Sequence, residues 1–283
     1  MMQLSEKFFS FLFLLIPLFL ITGPALPDAV ITLGLIFGII YFIYHKEYLE
    51  LINIHFIKIS IIFWLSLIFI SFFSYNKTNS FQDALIFIRF LFIPILCYFI
   101  FFKKSKLFRQ ALLIVTILVV LVCIDSFYQF LNYTPENGFG KDLLGFKSNW
   151  YGRLTGPFGD ELIPGSYISK FGLLGFAFLI SIKKFENKII FHSIYLSSIL
   201  FISFISGERM AFATFGLSLI FLFLFLNGFR KSIFLSIIIG IFLIFITTYL
   251  HPSYNDFKVV ESTQYHQGQK IEKFFNCNGD REK

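Results

Sequence analysis

Charge is what this chain has least of. Only 14% of its 283 residues are Asp, Glu, Lys or Arg, where a soluble domain carries about 25%. With 57% hydrophobic residues beside it, that deficit excludes both a soluble globular domain and a disordered chain. Cysteine is scarce as well. Cys97 and Cys123 lie inside apolar stretches and Cys277 stands in a polar tail, which excludes a disulfide scaffold and shows no metal-ligand spacing. Glycine and proline follow no period, so a collagen-like repeat is excluded. The basic excess of +7 is spread over short loops between apolar stretches rather than gathered on a soluble face, leaving no surface for DNA or RNA. No cluster of carboxylates of the kind that holds Mg²⁺ stands out, and neither a metal nor a cofactor is expected.

What the chain has instead is apolar length. Uninterrupted apolar stretches of about 16 to 20 residues recur, long enough to cross a bilayer as helices. Together with 44 Phe and a mean hydropathy of +0.76, they predict an all-α, polytopic transmembrane protein embedded in the lipid bilayer. Charges and turn residues cut the chain into nine candidate spans: residues 8–22, 29–44, 59–73, 81–102, 110–131, 164–182, 189–206, 210–227 and 232–250. The first follows Lys7 and is read as an uncleaved helix, because it exceeds a signal-peptide core and more spans follow at once.

Lys and Arg in the loops set orientation. With the N-terminus in the cytoplasm, the inner segments hold Lys7, Lys46, Lys58, Lys103, Lys104, Lys106, Arg109, Lys183, Lys184, Lys188, Arg230 and Lys231. The outer loops between helices hold only Lys77, Lys141, Lys147, Arg153 and Arg209. This asymmetry predicts a cytoplasmic N-terminus, and an odd helix count puts the tail, 251–283, outside. That tail is polar and shows no helix cap or hydrophobic face. It reads as the start of a large periplasmic loop, cut short.

Ionisable residues inside spans mark function or pairing. At 1.5 Å per residue, Arg89 lies about 12 Å below the outer end of its span, Asp125 about 9 Å below the end of the next, and Lys170 at a similar depth in the one after. Matching depths imply a polar cavity that opens outward. The alternative is an Arg89–Asp125 ion pair that merely joins two helices.

Two outer loops carry the remaining chemistry. The loop at 132–163 ends in Arg153-Leu-Thr-Gly-Pro-Phe-Gly-Asp-Glu161, whose glycines let the backbone fold tightly over a ligand. Asp160 and Glu161 stand just before a helix, where they either cap it through its dipole or serve as a base. The second loop, Ser206-Gly-Glu-Arg209-Met, holds Arg209 at a helix N-terminus, a place that favours anions, with a guanidinium fork suited to phosphate. Asp125, Asp160, Glu161 and Glu208 oppose Arg89, Arg153, Lys170 and Arg209 in equal number. Pairing therefore decides whether any arginine is free, and Glu208 stands next to Arg209 in sequence.

These two loops resemble the signatures of the O-antigen ligase and O-antigen polymerase family: an arginine followed by Ser/Thr-Gly-x-Phe-Gly ahead of a helix, then Ser/Thr-Gly-Ser-Arg-Gly-Ala at the start of a later one. Gly165-Ser-Tyr after the first loop belongs to the likeness, which covers the whole chain as the N-terminal two-thirds of a family member. It implies a bacterial inner-membrane glycan ligase or polymerase. Such an enzyme moves glycan from an undecaprenyl-pyrophosphate carrier to a sugar acceptor, either lipid A-core or the growing glycan, on the periplasmic side in lipopolysaccharide or other surface polysaccharide biosynthesis. Carried over by residue, Arg153 and Arg209 bind the pyrophosphate. Glu208 departs from the family's small residue. The family's essential ligase histidine has no counterpart here, since neither His251 nor His266 lies in a matching stretch. No catalytic residue is assigned, and the chain as given is expected to be inactive. The competing expectations are a membrane transporter or lipid-linked sugar flippase using Arg89, Asp125 and Lys170, and an inactive truncated remnant.

Overall fold

A computed structural model describes residues 11, 14–45, 55–91, 105–134, 138–150, 152–182 and 188–253. The chain divides into two compact units, residues 1–114 and 115–283. Among the described residues the secondary structure is helical, apart from isolated bridges at Thr134–Gly138 and Lys141–Lys147. In chain order the helices are α1 (Ile16–Phe19), α2 (Ala25–His45), α3 (His55–Ser71), α4 (Lys77–Ile86), α5 (Ser105–Leu131), α6 (Pro164–Ser181), α7 (Ile189–Ile205), α8 (Arg209–Phe225) and α9 (Arg230–Leu250).

Two helical stretches, Lys106–Leu131 and Asn227–Leu250, are long and apolar enough to cross a membrane. Shorter apolar helices lie at Ala25–Phe37, His55–Ser71, Ile189–Ile205 and Arg209–Phe225. The expected segments at 29–44 and from 110 to 250 each fall on one helix. Of the first expected span the described residues form only the short α1, and its residues 8–10, 12 and 13, like residues 92–102 of the fourth and residues 103 and 104, lie outside the described residues. So do Cys97, Cys277, His266 and the tail beyond residue 253.

In the first unit, α3 and α4 pack side by side. The Trp64 indole N–H donates to the Ala84 carbonyl at 2.9 Å, and Phe63 meets Phe87 edge-on. Asn76 caps α4 by accepting from the Asn79 N–H. Arg89 reaches Asp28 in the first turn of α2 at 2.9 Å, and its guanidinium also donates to the Thr32 hydroxyl. The carboxylate that serves Arg89 within the first unit is Asp28; Asp125 lies in the second unit. Asp28 sits two and three residues before Val30 and Ile31, which are buried.

In the second unit α7 is the central helix, packed against α6, α8 and α9. Leu196, Ile199, Leu200 and Ile202 are all buried, as are Ser193, Ser197 and Ser203. The serines bond to carbonyls, mostly of their own turn, and Ser193 also donates to the Ser232 carbonyl of α9. Small residues let the helices approach closely. Gly172 lies against Ile199, Gly240 against Leu200, and Gly175 against the Tyr195 hydroxyl. That hydroxyl in turn donates to the Gly172 carbonyl at 3.1 Å.

Gly175→Ala should destabilise the protein by about 1–3 kcal/mol through overpacking, although alanine is the better helix former. In a Tyr195→Phe background the hydroxyl in the way is gone, and the same change should cost less. A double-mutant cycle of thermal melts in detergent reads the difference, and equal cost in both backgrounds would show that the contact does not set the helix spacing.

Candidate functional site

The first motif loop is held from below by a side chain of α5. Gln129 is fully buried. Its amide oxygen accepts the N–H groups of Thr155 (3.1 Å) and Gly156 (2.8 Å), and its nitrogen donates to the Thr155 hydroxyl. This fixes the segment that follows Arg153. Gly156 has φ +52, and a Cβ there would lie 2.8 Å from the Ser126 Oγ, so both conformation and space require glycine. Ser148 donates to the Arg153 carbonyl at 2.8 Å, and Asn149 donates to the Asp160 carboxylate at 2.6 Å. The loop therefore closes on itself as the glycine content suggests.

The second motif loop is pressed against the first. Ser206 ends α7, Gly207 turns with φ +78, and α8 begins at Arg209. The Ser206 carbonyl accepts the Leu154 N–H at 3.4 Å. A Cβ on Gly207 would lie 3.2 Å from Arg153 Cγ and 3.3 Å from the Gly152 carbonyl oxygen. The chain at Gly152–Arg153 thus runs directly beside the turn that precedes Arg209.

Glu208 closes the arrangement. Helix α6 opens with Pro164, which brings no N–H, and Ile163 before it has no side-chain cap. The donors of the first turn need another acceptor. Glu208 supplies it: one carboxylate oxygen accepts the Gly165 N–H at 2.7 Å, and the other accepts the Ser166 N–H at 3.0 Å and the Ser166 hydroxyl. The expected partial neutralisation of Arg209 by Glu208 gives way to this cap. Likewise the capping role expected of Asp160 and Glu161 belongs to Glu208. No acidic residue lies in the first turn of α6, and both Asp160 and Glu161 are exposed.

No family model, curated protein or solved structure matches this chain.

Arg153 and Arg209 are exposed, and neither guanidinium makes a hydrogen bond or ion pair among the described residues. Lys170 is exposed on α6. Asp125 is buried on α5, with one oxygen accepting the Leu143 N–H at 2.9 Å. Arg89 belongs to the first unit and is engaged there by Asp28. His251 ends α9 and stacks on Phe130 at 4.0 Å. Burial pushes its imidazole below the ordinary value, and the ring packs among aromatic neighbours.

Two unpaired guanidiniums beside a helix N-terminus can hold a phosphate or pyrophosphate by charge-assisted, bidentate bonds. The residue that sequence reasoning missed is Gln129. Its signal was present: Asp125, Ser126, Gln129 and Asn132 recur at helical spacing along an otherwise apolar span.

Removing the Glu208 cap should be costly. Glu208→Ala leaves the Gly165 and Ser166 N–H groups without acceptors and should destabilise the protein by about 1–3 kcal/mol. Glu208→Gln keeps one amide acceptor and should cost less. Thermal unfolding in detergent checks the order, and an alanine variant as stable as the parent would show the cap to be energetically idle.

Proposed function

We propose that this chain is a multi-pass protein of the bacterial inner membrane that handles a lipid-pyrophosphate-linked glycan in the manner of O-antigen ligases and polymerases. In this reading nine spans cross the bilayer, the N-terminus is cytoplasmic, and the loop at 132–163 and the tail from 251 face the periplasm. The donor is an undecaprenyl-pyrophosphate-linked glycan, and the acceptor is a sugar hydroxyl of lipid A-core or of a growing glycan. The observation that carries the proposal is the joining of the two arginine loops: Gly207 packs on Arg153, and Glu208 caps α6, so that Arg153 and Arg209 lie on adjacent loops with both guanidiniums unpaired.

The chemistry required of such a site is limited. The donor already contains its leaving group, a pyrophosphate. The protein must bind that diphosphate, stabilise the negative charge that grows on it as the glycosidic bond breaks, and accept a proton from the acceptor hydroxyl. Fixed arginines meet the first two needs by preorganised electrostatics. The third falls to a base that is assigned to no described residue; Asp160 is held by Asn149 and Trp150, and Glu161 is exposed. Transport would lean on Arg89, Asp125 and Lys170 acting together, and the ion pair of Arg89 with Asp28 removes one of those charges.

Arg153→Ala and Arg209→Ala, introduced into the chromosomal gene, should each reduce glycan transfer by about 10²-fold or more while membrane insertion is unchanged. The lysine variants should retain part of it, because a point charge replaces a fork. Gel profiles of surface polysaccharide with membrane-fraction immunoblots read both quantities. Normal glycan in both alanine variants would refute the proposal.

A further inference from the structure

Three buried oxygens, two on α5 and one in the 142–146 turn, have no hydrogen-bond partner: Asp125 Oδ2, Ser126 Oγ and Asp142 Oδ2. Asp125 is 5% exposed, Asp142 3% and Ser126 0%. Each carboxylate spends its other oxygen on a backbone donor. Asp125 Oδ1 accepts from Leu143 at 2.9 Å, and Asp142 Oδ1 accepts from Phe146 at 2.6 Å. Because Leu143 follows Asp142 directly, the first of these bonds ties the two acids into one neighbourhood. Asp125 Oδ2 and Ser126 Oγ both face Gly156, lying 3.6 and 2.8 Å from the position a Cβ would take there.

Two buried carboxylates with one unpaired oxygen each are expensive unless a positive charge or a proton answers them. Among the described residues no lysine, arginine or histidine does so: Lys141, Lys147, Arg153, Lys170 and Arg209 are exposed and make no ion pair, and His251 stacks on Phe130. The donor set is all oxygen, which selects a hard cation. Two formal negative charges match a divalent ion, and the irregular mix of two monodentate carboxylates with a hydroxyl suits the flexible shell of calcium better than the strict octahedron of magnesium. Among the described residues no three His, Cys, Asp or Glu side chains form a metal group; the oxygens here come from two acids and a serine.

We infer that Asp125, Asp142 and Ser126 bind one calcium-sized divalent cation, which pins the 142–146 turn to α5 behind Gly156 of the first motif loop. Backbone carbonyls or water complete its shell. The ion is structural: it stands behind the loop that carries Arg153, not at the exposed guanidinium itself. The inference does not depend on glycan transfer, and its test reads binding and stability only.

The purified chain in detergent is stripped with EGTA and then titrated with calcium chloride. The parent should melt higher in calcium than in EGTA by about 5 °C or more at saturation, and should retain radioactive calcium through gel filtration. Asp142→Asn removes one charge and its response. It should melt in EGTA at or above the parent's temperature, because an unanswered buried carboxylate is gone, and calcium should no longer shift it. Asp125→Asn should lose the response in the same way, and Ser126→Ala should weaken calcium affinity while keeping the shift at high concentration. A parent that melts at one temperature in calcium and in EGTA, or an Asp142→Asn variant that responds like the parent, would overturn the inference.

Discussion

A helix N-terminus in an apolar setting has four backbone donors that must be answered, and in α6 the local sequence answers none of them. Pro164 removes one donor, and Ile163 cannot cap. The acceptor comes from a residue more than forty positions away, Glu208, whose two oxygens take the Gly165 and Ser166 N–H groups. One carboxylate thereby ties the start of α6 to the start of α8. Because Arg209 follows Glu208 and Arg153 lies against Gly207, the same bond decides where both arginines stand. The site is a consequence of satisfying a helix end.

The same economy explains why Arg153 and Arg209 remain unpaired although acidic residues lie on the same loops. Acids are engaged elsewhere, largely by backbone and amide donors: Glu208 by the first turn of α6, Asp160 by the Asn149 amide, Asp125 by the Leu143 N–H and Asp142 by the Phe146 N–H. Asp28 is occupied by Arg89. Glu161 is exposed to solvent, where an ion pair contributes little. Positive charge is kept free at the rim by giving the acids other work. Beneath it, α5 is the floor of the site, with Gln129 clamping Thr155 and Gly156 from a buried position.

Much of the fold is legible in the sequence because bilayer-length apolar stretches are a strong signal and charges interrupt them cleanly. From residue 110 onward each expected segment coincides with a helix to within a few residues. The contacts of the site were harder to read. Glu208 sits beside Arg209 in sequence, and adjacency suggested an ion pair; only the fold reveals that its carboxylate faces α6. Asp160 and Glu161 immediately precede α6 and have the composition of caps, yet the loop turns them outward. Arg89 and Asp125 share a depth in the sequence, which suggested a common cavity or, as the alternative, an ion pair; the carboxylate that Arg89 meets is on α2. In each case a one-dimensional measure, neighbour distance or depth, stood in for a direction that only packing sets.

The most direct test of a site built from two arginine loops is binding of the diphosphate itself. The purified chain, in detergent with excess EGTA and then with calcium, is titrated with a fluorescent polyisoprenyl pyrophosphate, with the matching polyisoprenol as control. The pyrophosphate lipid should bind at least tenfold more tightly than the alcohol, a difference of about 1.4 kcal/mol, and an Arg153→Ala/Arg209→Ala double variant that melts like the parent should lose that preference. Equal affinity for pyrophosphate and alcohol, or an undiminished preference in the double variant, would contradict the role given to these two loops.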